Sequence, residues 1–407
     1  MNVDACDPRR ELLLGLLQAG LARVDGRRCV RAALSASPAT PGPVWLAAVG
    51  KAATAMALGA HDALGGAIER TLIITRDPEG LSELTGRAPV EVHLSAHPLP
   101  DERSLAAGQR LLGWVDELPA AVQPLFLISG GSSALVEVLE EGATLADLAA
   151  LTRESFTSGM AIGELNARRA ALSRIKGGRL ATRLCGRAAR ALFVSDVPDD
   201  DPRVIGSGLM GPPSGGADRV ERTVVASVDH AVAAVAAAAA RFGLTVQAAP
   251  RRFADDALRL AARFAHELCL SPAQLLVWGG ESTVQLPTHP GHGGRNQHLA
   301  LAAARLIAGH AELLLLAAGT DGSDGVSVDA GALVDADTCA RITLAQLDAD
   351  RCLQQADSGR ALAASGDLLH TGPTGTNVGD LVIGLKLSLA QARVLAERHG
   401  GVRPRVL

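Results

Sequence analysis

The chain has 407 residues, of which 48% are hydrophobic, 20% are charged and only 2% are aromatic, and its formal net charge is -4. This length exceeds the size at which one core usually keeps growing, so we expect two domains; scattered basic residues and few aromatic residues argue against nucleic-acid binding. The first residues lack the basic and then apolar order of a signal peptide, and no apolar run is long enough to span a bilayer. We therefore expect a cytoplasmic protein without a membrane partner.

The N-terminal part of the chain alternates apolar helices with short apolar strands. An opening helix is predicted at residues 8–24. The predicted strands are residues 44–49, 71–75, 125–129, 191–195 and 223–226. The predicted helices are residues 52–64 and 104–118, with further helices from residue 133 through residue 186. This alternation predicts parallel β-α-β units and an open, doubly wound α/β sheet.

A second series of elements follows a long loop at residues 196–216 and an alanine-rich helix at residues 229–242. Its predicted strands are residues 275–278, 283–286, 313–318 and 381–387, and its predicted helices are residues 254–268, 296–308 and 337–347. We place the domain boundary near Phe242, which gives an N-terminal domain at residues 1–242 and a C-terminal α/β domain at residues 243–407.

Two glycine-rich turns follow predicted strands of the N-terminal domain, where open α/β sheets bind ligands. Gly50 and Lys51 follow the first strand, and a lysine there can act as a point charge that binds phosphate. The alternative is an exposed lysine in the first turn of a helix. The third strand is followed by a plausible phosphate cradle, although the same residues also fit an ordinary turn with a serine cap: Ser129, Gly130, Gly131, Ser132 and Ser133.

The run Gly293-Gly294-Arg295-Asn296-Gln297 opens a predicted helix in the C-terminal domain, just after Gly279-Gly280-Glu281. Glycines allow close approach of a ligand to the backbone, and a helix start offers unpaired N–H groups to an anion. Arg295 adds a planar, two-pronged donor suited to phosphate or carboxylate. The run therefore predicts an anion site.

Three acids lie at or near predicted strand ends: Asp196, Glu281 and Asp321. Asp196 begins an acidic loop that continues with residues 199–201, and close carboxylates of this kind indicate a divalent cation. A solvated acidic loop is the alternative for residues 199–201. Asp321 either binds magnesium or takes a proton from a hydroxyl group, which are the two duties of carboxylates in phosphoryl transfer.

Other common signatures are absent from the sequence. No Walker A motif occurs, and the histidine spacing does not favour a zinc site. One Gly-x-Gly-x-x-Gly match occurs at Gly206, Gly208 and Gly211, but no predicted strand precedes it and Pro212-Pro213 follows it. The match is therefore not expected to bind a dinucleotide.

A set of short motifs follows in order along the chain: Val49-Gly50-Lys51-Ala52, Ile128-Ser129-Gly130-Gly131-Ser132-Ser133-Ala134-Leu135, Leu165-Asn166, Lys176-Gly177-Gly178-Arg179-Leu180, Ser195-Asp196-Val197, Gly279-Gly280-Glu281, Gly293-Gly294-Arg295-Asn296-Gln297, Gly319-Thr320-Asp321-Gly322 and Gly372-Pro373-Thr374-Gly375-Thr376-Asn377-Val378. In this order the motifs resemble the type II glycerate 2-kinases over nearly the whole chain. The chain departs from that pattern at residues 206–210 and at Asp199.

The resemblance implies ATP-dependent phosphorylation of (R)-glycerate at its 2-hydroxyl, which gives 2-phosphoglycerate and ADP with Mg²⁺. It also implies a Rossmann-like N-terminal domain and a smaller C-terminal α/β domain, called MOFRL, with the active site in the cleft between them. The oligomeric state stays open, with a homodimer as one alternative.

Within this resemblance, we predict that Lys51 and Arg295 bind the glycerate carboxylate and the charge of the transferring phosphoryl group. Asp321 is predicted to orient or deprotonate the hydroxyl group, and Asp196 and Glu281 are predicted to hold magnesium. The other predicted substrate- and nucleotide-binding residues are Gly50, Ser129, Gly130, Gly131, Ser132, Ser133, Lys176, Gly293, Gly294, Asn296, Thr320, Thr374 and Asn377. The rival functions are a hydroxypyruvate reductase that uses NAD(P)H and a non-catalytic protein that binds a sugar acid or nucleotide.

Overall fold

The computed structural model describes residues 7–37, 42–158, 162–215 and 218–398. The described residues form two compact units, each built on one β-sheet. The parallel-sheet unit is made from residues 24–227 together with residues 375–378. The mixed-sheet unit is made from the described residues before position 24, residues 228–374 and the described residues from position 379 onward.

Fifteen α-helices are found in the described ranges, and none of them has the length and apolar character needed to cross a lipid bilayer. In chain order they are α1 (Pro8–Val24), α2 (Gly26–Ala36), α3 (Ala53–Leu64), α4 (Glu102–Asp116), α5 (Ser132–Leu135), α6 (Leu145–Ser158), α7 (Ile162–Ala171), α8 (Arg179–Thr182), α9 (Val228–Arg241), α10 (Ala257–Leu270), α11 (Arg295–Leu306), α12 (Thr338–Leu344), α13 (Ala349–Gln354), α14 (Ser358–Ser365) and α15 (Leu389–Arg398).

The parallel-sheet unit contains the strands β1 (Val44–Val49), β2 (Ile68–Thr75), β3 (Val90–Leu94), β4 (Gln123–Ser129), β5 (Ala189–Val194) and β6 (Val220–Ala226). All of its strand pairs are parallel, and the strand order is β3-β2-β1-β4-β5-β6. This is the strand order of the Rossmann fold, so the predicted doubly wound sheet is confirmed. Its core is aliphatic around a few aromatic side chains, with Trp114 and Phe126 fully buried.

The mixed-sheet unit contains the strands β7 (Val246–Ala248), β8 (Phe253–Asp256), β9 (Leu275–Thr283), β10 (Leu313–Gly319), β11 (Gly331–Asp335), β12 (Leu368–Leu369) and β13 (Asp380–Lys386). The order is β12-β11-β10-β13-β9-β7, and β8 pairs with β9. Strand β13 is antiparallel to both of its neighbours, β9 and β10. The predicted α/β character is confirmed, with antiparallel pairing in the middle of the sheet.

One detail of the predicted elements is wrong. The strand predicted at residues 275–278 continues to Thr283 as β9, because Gly279 and Gly280 continue its pairing with β13, and residues 284–286 of the second predicted strand lie outside β9. Glu281 therefore lies inside a strand and does not close it. The helices predicted from residue 133 begin with a single turn, because α5 ends at Leu135 and the chain becomes extended at Val136.

The two compact units divide the chain differently from the predicted boundary near Phe242. Helix α1 belongs to the mixed-sheet unit, where Gly20 allows close packing: a Cβ atom there would lie less than 3.0 Å from Val235 of α9. Helix α9 packs in turn on β9 and β13. The alanine-rich helix thus shares a core with the strands that follow it in sequence.

Candidate functional site

The turns after β1 and β4 are bonded to each other at the switch point of the parallel sheet. The chain proceeds from β1 to β2 and β3 on one side and then returns to place β4 on the other side of β1. The Lys51 backbone N–H donates to the Gly130 carbonyl oxygen at 2.9 Å, and the Ala52 N–H donates to Ser129 Oγ at 3.1 Å. The predicted lysine and the predicted cradle therefore lie together, where doubly wound sheets bind ligands.

Glycine is required at several points of this turn. Gly50 has φ 134°, and a Cβ atom there would lie less than 3.0 Å from Ser129. Gly131 has φ 83°, and a Cβ atom there would lie 3.1 Å from both Lys51 Cγ and His97 Cδ2. The side chains of Lys51 and His97 therefore flank the glycine-rich turn.

Gly130 contacts two polar side chains that the sequence analysis selected separately. The Asn377 Nδ2 group donates to Asp196 Oδ2 at 3.2 Å, and a Cβ atom on Gly130 would lie less than 3.0 Å from both side chains. Asp196 follows β5 and Asn377 belongs to the short segment of residues 375–378. The structure thus places a carboxylate and an amide directly against the glycine backbone.

The two serines at the end of the turn differ, because the Ser133 hydroxyl is bonded to another side chain and the buried Ser132 hydroxyl has no hydrogen-bond partner among the described residues. Ser132 is fully buried, and a Cβ atom on Gly206 would lie less than 3.0 Å from its hydroxyl oxygen. Ser133 Oγ lies 2.7 Å from Ser207 Oγ. Because α5 has only four residues, the helix N-terminus expected here is a single turn.

The buried side chain of Lys176 is bonded to the end of this turn. Its side chain is 1% exposed, and its ammonium donates to the Ser133 carbonyl oxygen at 2.7 Å and pairs with Glu137, which is fully buried. Burial lowers the pKa of Lys176, and the Glu137 carboxylate partly opposes that change. A buried pair of this kind holds the turn in place, since leaving either charge unpaired is costly.

Arg295, the first residue of α11, is paired with two carboxylates of the mixed-sheet unit. Its Nε and Nη2 atoms donate to the two carboxylate oxygens of Asp380 at 2.8 Å and 3.0 Å, and its Nη1 atom donates to Glu281. Burial opposes the charged form, but the carboxylates of Asp380 and Glu281 outweigh it and raise the pKa of Arg295. The two-pronged donor is therefore present and held in a fixed plane by Asp380, which is itself fully buried.

The start of α11 is occupied by an acid of the same chain, which corrects the prediction that its N–H groups are unpaired. Asp324 accepts from the backbone N–H of Asn296 at 3.1 Å and from that of Gln297 at 2.8 Å. A Cβ atom on Gly294 would lie less than 3.0 Å from Asp324, so this glycine admits the carboxylate. Gly293 likewise has φ 147° and lies close to Ser358. Burial raises the pKa of Asp324 to about 7, although the N–H groups favour its charged form.

The loop after β10 carries Thr320 and Asp321 as predicted. Asp321 Oδ1 accepts from the backbone N–H and the hydroxyl group of Ser323, both at 3.0 Å. The Thr320 hydroxyl donates to the Gly379 carbonyl oxygen at 2.6 Å, and the Thr374 hydroxyl donates to the Thr320 carbonyl oxygen. The two threonines therefore tie the Asp321 loop to the segment that leads into β13.

The predicted magnesium ligands, Asp196 and Glu281, have different surroundings. No group of three His, Cys, Asp or Glu side chains that could hold a metal ion occurs in the described ranges. Magnesium commonly takes one or two carboxylates together with substrate phosphates and water, so Asp196 has suitable chemistry. Glu281 pairs with Arg295, and its side chain is 54% exposed. The magnesium roles of Asp196 and Glu281 stay predictions.

Asp380 was not predicted to be part of the site. The rule that ligands bind beyond the carboxyl ends of strands excludes the first residue of a strand. Because β13 is antiparallel, however, Asp380 pairs with Gly280 of β9 and Gly319 of β10, at the ends that carry Glu281 and Asp321. An acid immediately before the apolar run of the last strand was the available signal. Glu137 and His97 offered no comparable pattern.

Two family models match the chain. A domain of unknown function, DUF4147, covers residues 12–242, and the MOFRL family covers residues 274–380. The D-glycerate 2-kinase of Thermotoga maritima is 35% identical over 384 residues, which cover 84% of this chain and 90% of that protein. A putative hydroxypyruvate reductase of Agrobacterium vitis is 34% identical over 375 residues, which cover 82% of this chain and 96% of that protein.

A solved structure of a glycerate kinase also matches this chain. The crystal structure of glycerate kinase from Thermotoga maritima matches with a TM-score of 0.80 and 32% sequence identity, covering 92% of this chain and 99% of that chain. The Rossmann strand order, the ordered motifs and these matches lead to one conclusion. The chain belongs to the glycerate 2-kinase family, with a MOFRL-family segment in its C-terminal half.

Proposed function

We propose that this chain transfers a phosphoryl group from ATP to the 2-hydroxyl of (R)-glycerate, which gives 2-phosphoglycerate and ADP. The observation that supports it most is the bonded pair of turns at the switch point, where Lys51 lies beside the glycine backbone and Asp196. The name of the Thermotoga maritima relative, D-glycerate 2-kinase, supports the same acceptor and position. Phosphoryl transfer needs positioning and charge stabilisation more than covalent chemistry, and these groups suit that task.

Each charged residue has a defined role in this proposal. Lys51 and Arg295 bind negative charge on the transferring phosphoryl group and on the glycerate carboxylate. Asp321, held by Ser323, accepts the proton of the 2-hydroxyl as that oxygen attacks the phosphorus atom. Loss of any one of these charged groups should therefore slow the reaction strongly.

Magnesium would be held by Asp196 and, when Glu281 exchanges its bond with Arg295, by Glu281. The ion would neutralise charge on the phosphate oxygens of ATP. Asn377 donates to Asp196 Oδ2, which fixes the direction of the other carboxylate oxygen.

The direct test is incubation of the purified protein with ATP, Mg²⁺ and (R)-glycerate, followed by an enolase-coupled assay. Enolase consumes 2-phosphoglycerate and does not consume the 3-phospho isomer, so the assay reports the position of transfer. We expect a signal that depends on ATP, on Mg²⁺ and on (R)-glycerate. ATP consumption that yields only the 3-phospho isomer would refute the proposed position.

Lys51→Met tests the phosphate role in the same assay. We expect kcat to fall by about 10²- to 10³-fold, because a positioned cation that stabilises developing charge contributes on that order. Lys386→Met is the matched control, since Lys386 lies at the end of β13 and donates to backbone carbonyl oxygens of residues 269 and 271. Equal turnover of the two variants would exclude Lys51 from the reaction.

The rival function, a hydroxypyruvate reductase, has the printed name of the Agrobacterium vitis relative in its favour. A reductase of this kind needs a dinucleotide site, and the Gly206-x-Gly208-x-x-Gly211 run lies in a loop that no strand directly precedes, since β5 ends at Val194. Loss of NADH absorbance with hydroxypyruvate, without ATP, would support the rival. A cytoplasmic location and a homodimer stay predictions, testable by fractionation and light scattering.

A further inference from the structure

The strand β3 forms one edge of the parallel sheet. It pairs with β2 on one side, and no strand in the described part of the chain pairs with its other side. The Pro89 carbonyl oxygen accepts from β2 and the Ser95 N–H donates to β2, so both groups point toward that neighbour. Because backbone groups alternate in direction along a strand, the N–H and C=O groups of Val90, Val92 and Leu94 point outward from the sheet.

The side chains of the same three residues lie on one face of β3, and this face is apolar and exposed. Val92 is 37% exposed and Leu94 is 49% exposed. Val90 and Val92 also line a groove of about 340 Å³, together with Leu81 and Leu84 of the preceding turn. A strand edge of this kind, with outward backbone groups and exposed apolar side chains, is a surface on which another chain can pair.

The opposite face of β3 carries charges that balance one another. Glu91 Oε1 lies 2.9 Å from His93 Nε2 and accepts from Arg110 Nε of α4 at 2.6 Å. Arg70 of β2 donates to both Glu91 and Glu117. Two guanidinium groups thus meet two carboxylates, so this face has no excess charge that would repel a second copy of itself.

We propose that β3 pairs with β3 of a second copy of this chain, antiparallel and about a two-fold axis at Val92. In such a pair the residue on the axis faces its own copy, so two valines meet there. Glu91 then lies opposite His93 of the second copy, and Val90 lies opposite Leu94, so the acid meets an imidazole and apolar residues meet apolar ones. An axis at Glu91 or at His93 would place two identical polar side chains opposite each other.

The same register uses the outward backbone groups. Val90, Val92 and Leu94 exchange N–H···O bonds with the second copy, as the hydrogen-bonded pairs of an antiparallel ladder do. Leu94 of one copy lies beside the groove at Val90 of the other. Because β3 has only five residues, the pairing buries less than the roughly 1,000 Å² expected of a stable interface. We therefore expect a dimer that dissociates in the micromolar range.

The test is analytical ultracentrifugation of wild-type protein and of Val92→Lys across micromolar protein concentrations. We expect wild-type protein to dimerise as its concentration rises, and Val92→Lys to associate at least about tenfold more weakly, because two lysines would face each other on the axis. Val394→Lys is the matched control, since Val394 is 47% exposed but lies on α15 of the mixed-sheet unit. This control should associate as wild-type protein does.

A charge exchange separates loss of pairing from misfolding. Val92→Glu alone should also associate weakly, whereas an equimolar mixture of Val92→Lys and Val92→Glu should form dimers, because unlike charges then meet on the axis. Wild-type protein that stays monomeric throughout, or a dimer that Val92→Lys leaves unchanged, would overturn the proposal. A mixture that associates no better than its components would likewise exclude an axis at Val92. None of these outcomes depends on kinase activity, so this inference and the proposed function can fail separately.

Discussion

The polar groups of the two units are built in opposite ways. In the parallel-sheet unit, the site consists mainly of backbone: at Gly50 and Gly130 neighbouring groups come so close that an added Cβ atom would lie less than 3.0 Å from them. In the mixed-sheet unit, the corresponding strand ends carry charged side chains already paired with one another, with Arg295 between Asp380 and Glu281. The first site depends on the close approach that glycine allows, and the second depends on charges that are paired with one another.

This difference predicts different sensitivities to substitution. A backbone site should respond to added volume, because its N–H groups can be used only where ligand and chain approach closely. A charged site should respond to a change of charge or donor geometry, because each group there offsets the burial cost of its neighbour. Changes that keep size and alter charge therefore test the mixed-sheet unit, and changes that keep charge and add size test the parallel-sheet unit.

The largest effect is expected for Asp321→Asn in the mixed-sheet unit. The substitution keeps the size and the hydrogen bond from Ser323 but removes the proton acceptor, so kcat should fall by about 10²- to 10⁴-fold. The measurement is turnover of (R)-glycerate at saturating substrate. Asp329→Asn on the same loop is the control, and equal losses in both variants would indicate a general effect of charge on the loop.

Arg295→Lys keeps the positive charge and removes the two-pronged donor. The ammonium cannot bond both oxygens of Asp380 in the same plane, so kcat/KM should fall by about 10²-fold and the midpoint of thermal unfolding should drop. The matched control is Arg305→Lys, because Arg305 lies near the other end of α11 and forms an exposed pair with Asp350. Unchanged turnover of Arg295→Lys would remove Arg295 from the catalytic set.

Gly130→Ala adds one methyl group where Asp196 and Asn377 approach the backbone. Both side chains must move away from the added methyl group. We expect kcat/KM to fall by about 10- to 50-fold, because a small displacement of the reacting groups from their productive geometry lowers the rate by that order or more. In Gly66→Ala the methyl group meets no atom within 4 Å, so this variant is the control. Wild-type kinetics in Gly130→Ala would show that the close approach has no functional role.

The sequence predicted that the glycine-rich turns lie together because its signals are local, and the roles of these residues stay predictions. Each glycine-rich turn follows an apolar run, and parallel strands place their carboxyl ends at one edge of the sheet, so Lys51, Gly130 and Asp196 could be grouped without coordinates. The resemblance to a known family selected Asn377, which nothing in the local pattern placed beside Asp196. The positions of these residues could be predicted because each depends on one residue type at one strand end.

The charged site was predicted only in part, because its contacts depend on antiparallel pairing and on loops distant in sequence. Arg295 was selected, but its main partner, Asp380, lies 85 positions further along the chain. The helix start at Asn296 was expected to be open to an anion, yet Asp324 reaches it from the loop after β10. Short apolar strands such as 313–318 do not indicate whether their neighbours are parallel or antiparallel, so these partners could not be identified.

The smallest expected effect concerns Asp324. It is an effect on stability and not on turnover. Its pKa is about 7 in the folded protein, against an ordinary value of 3.8, so the folded state holds the proton more tightly than the unfolded state. The free energy of unfolding should therefore fall as pH rises from about 4 to about 7 and stay level above that range. Between pH 5 and pH 7 this group should account for about 2 kcal/mol.

Asp324→Asn removes the titrating group and keeps an oxygen acceptor for the start of α11. Thermal unfolding of both proteins between pH 5 and pH 8 should show a smaller decline with pH in the variant, and Asp329→Asn should keep the wild-type decline. Equal declines in wild-type protein and Asp324→Asn would mean that Asp324 is ionised throughout. In that case the N–H groups of Asn296 and Gln297 outweigh its burial, and the helix start binds a carboxylate as firmly as it would bind an external anion.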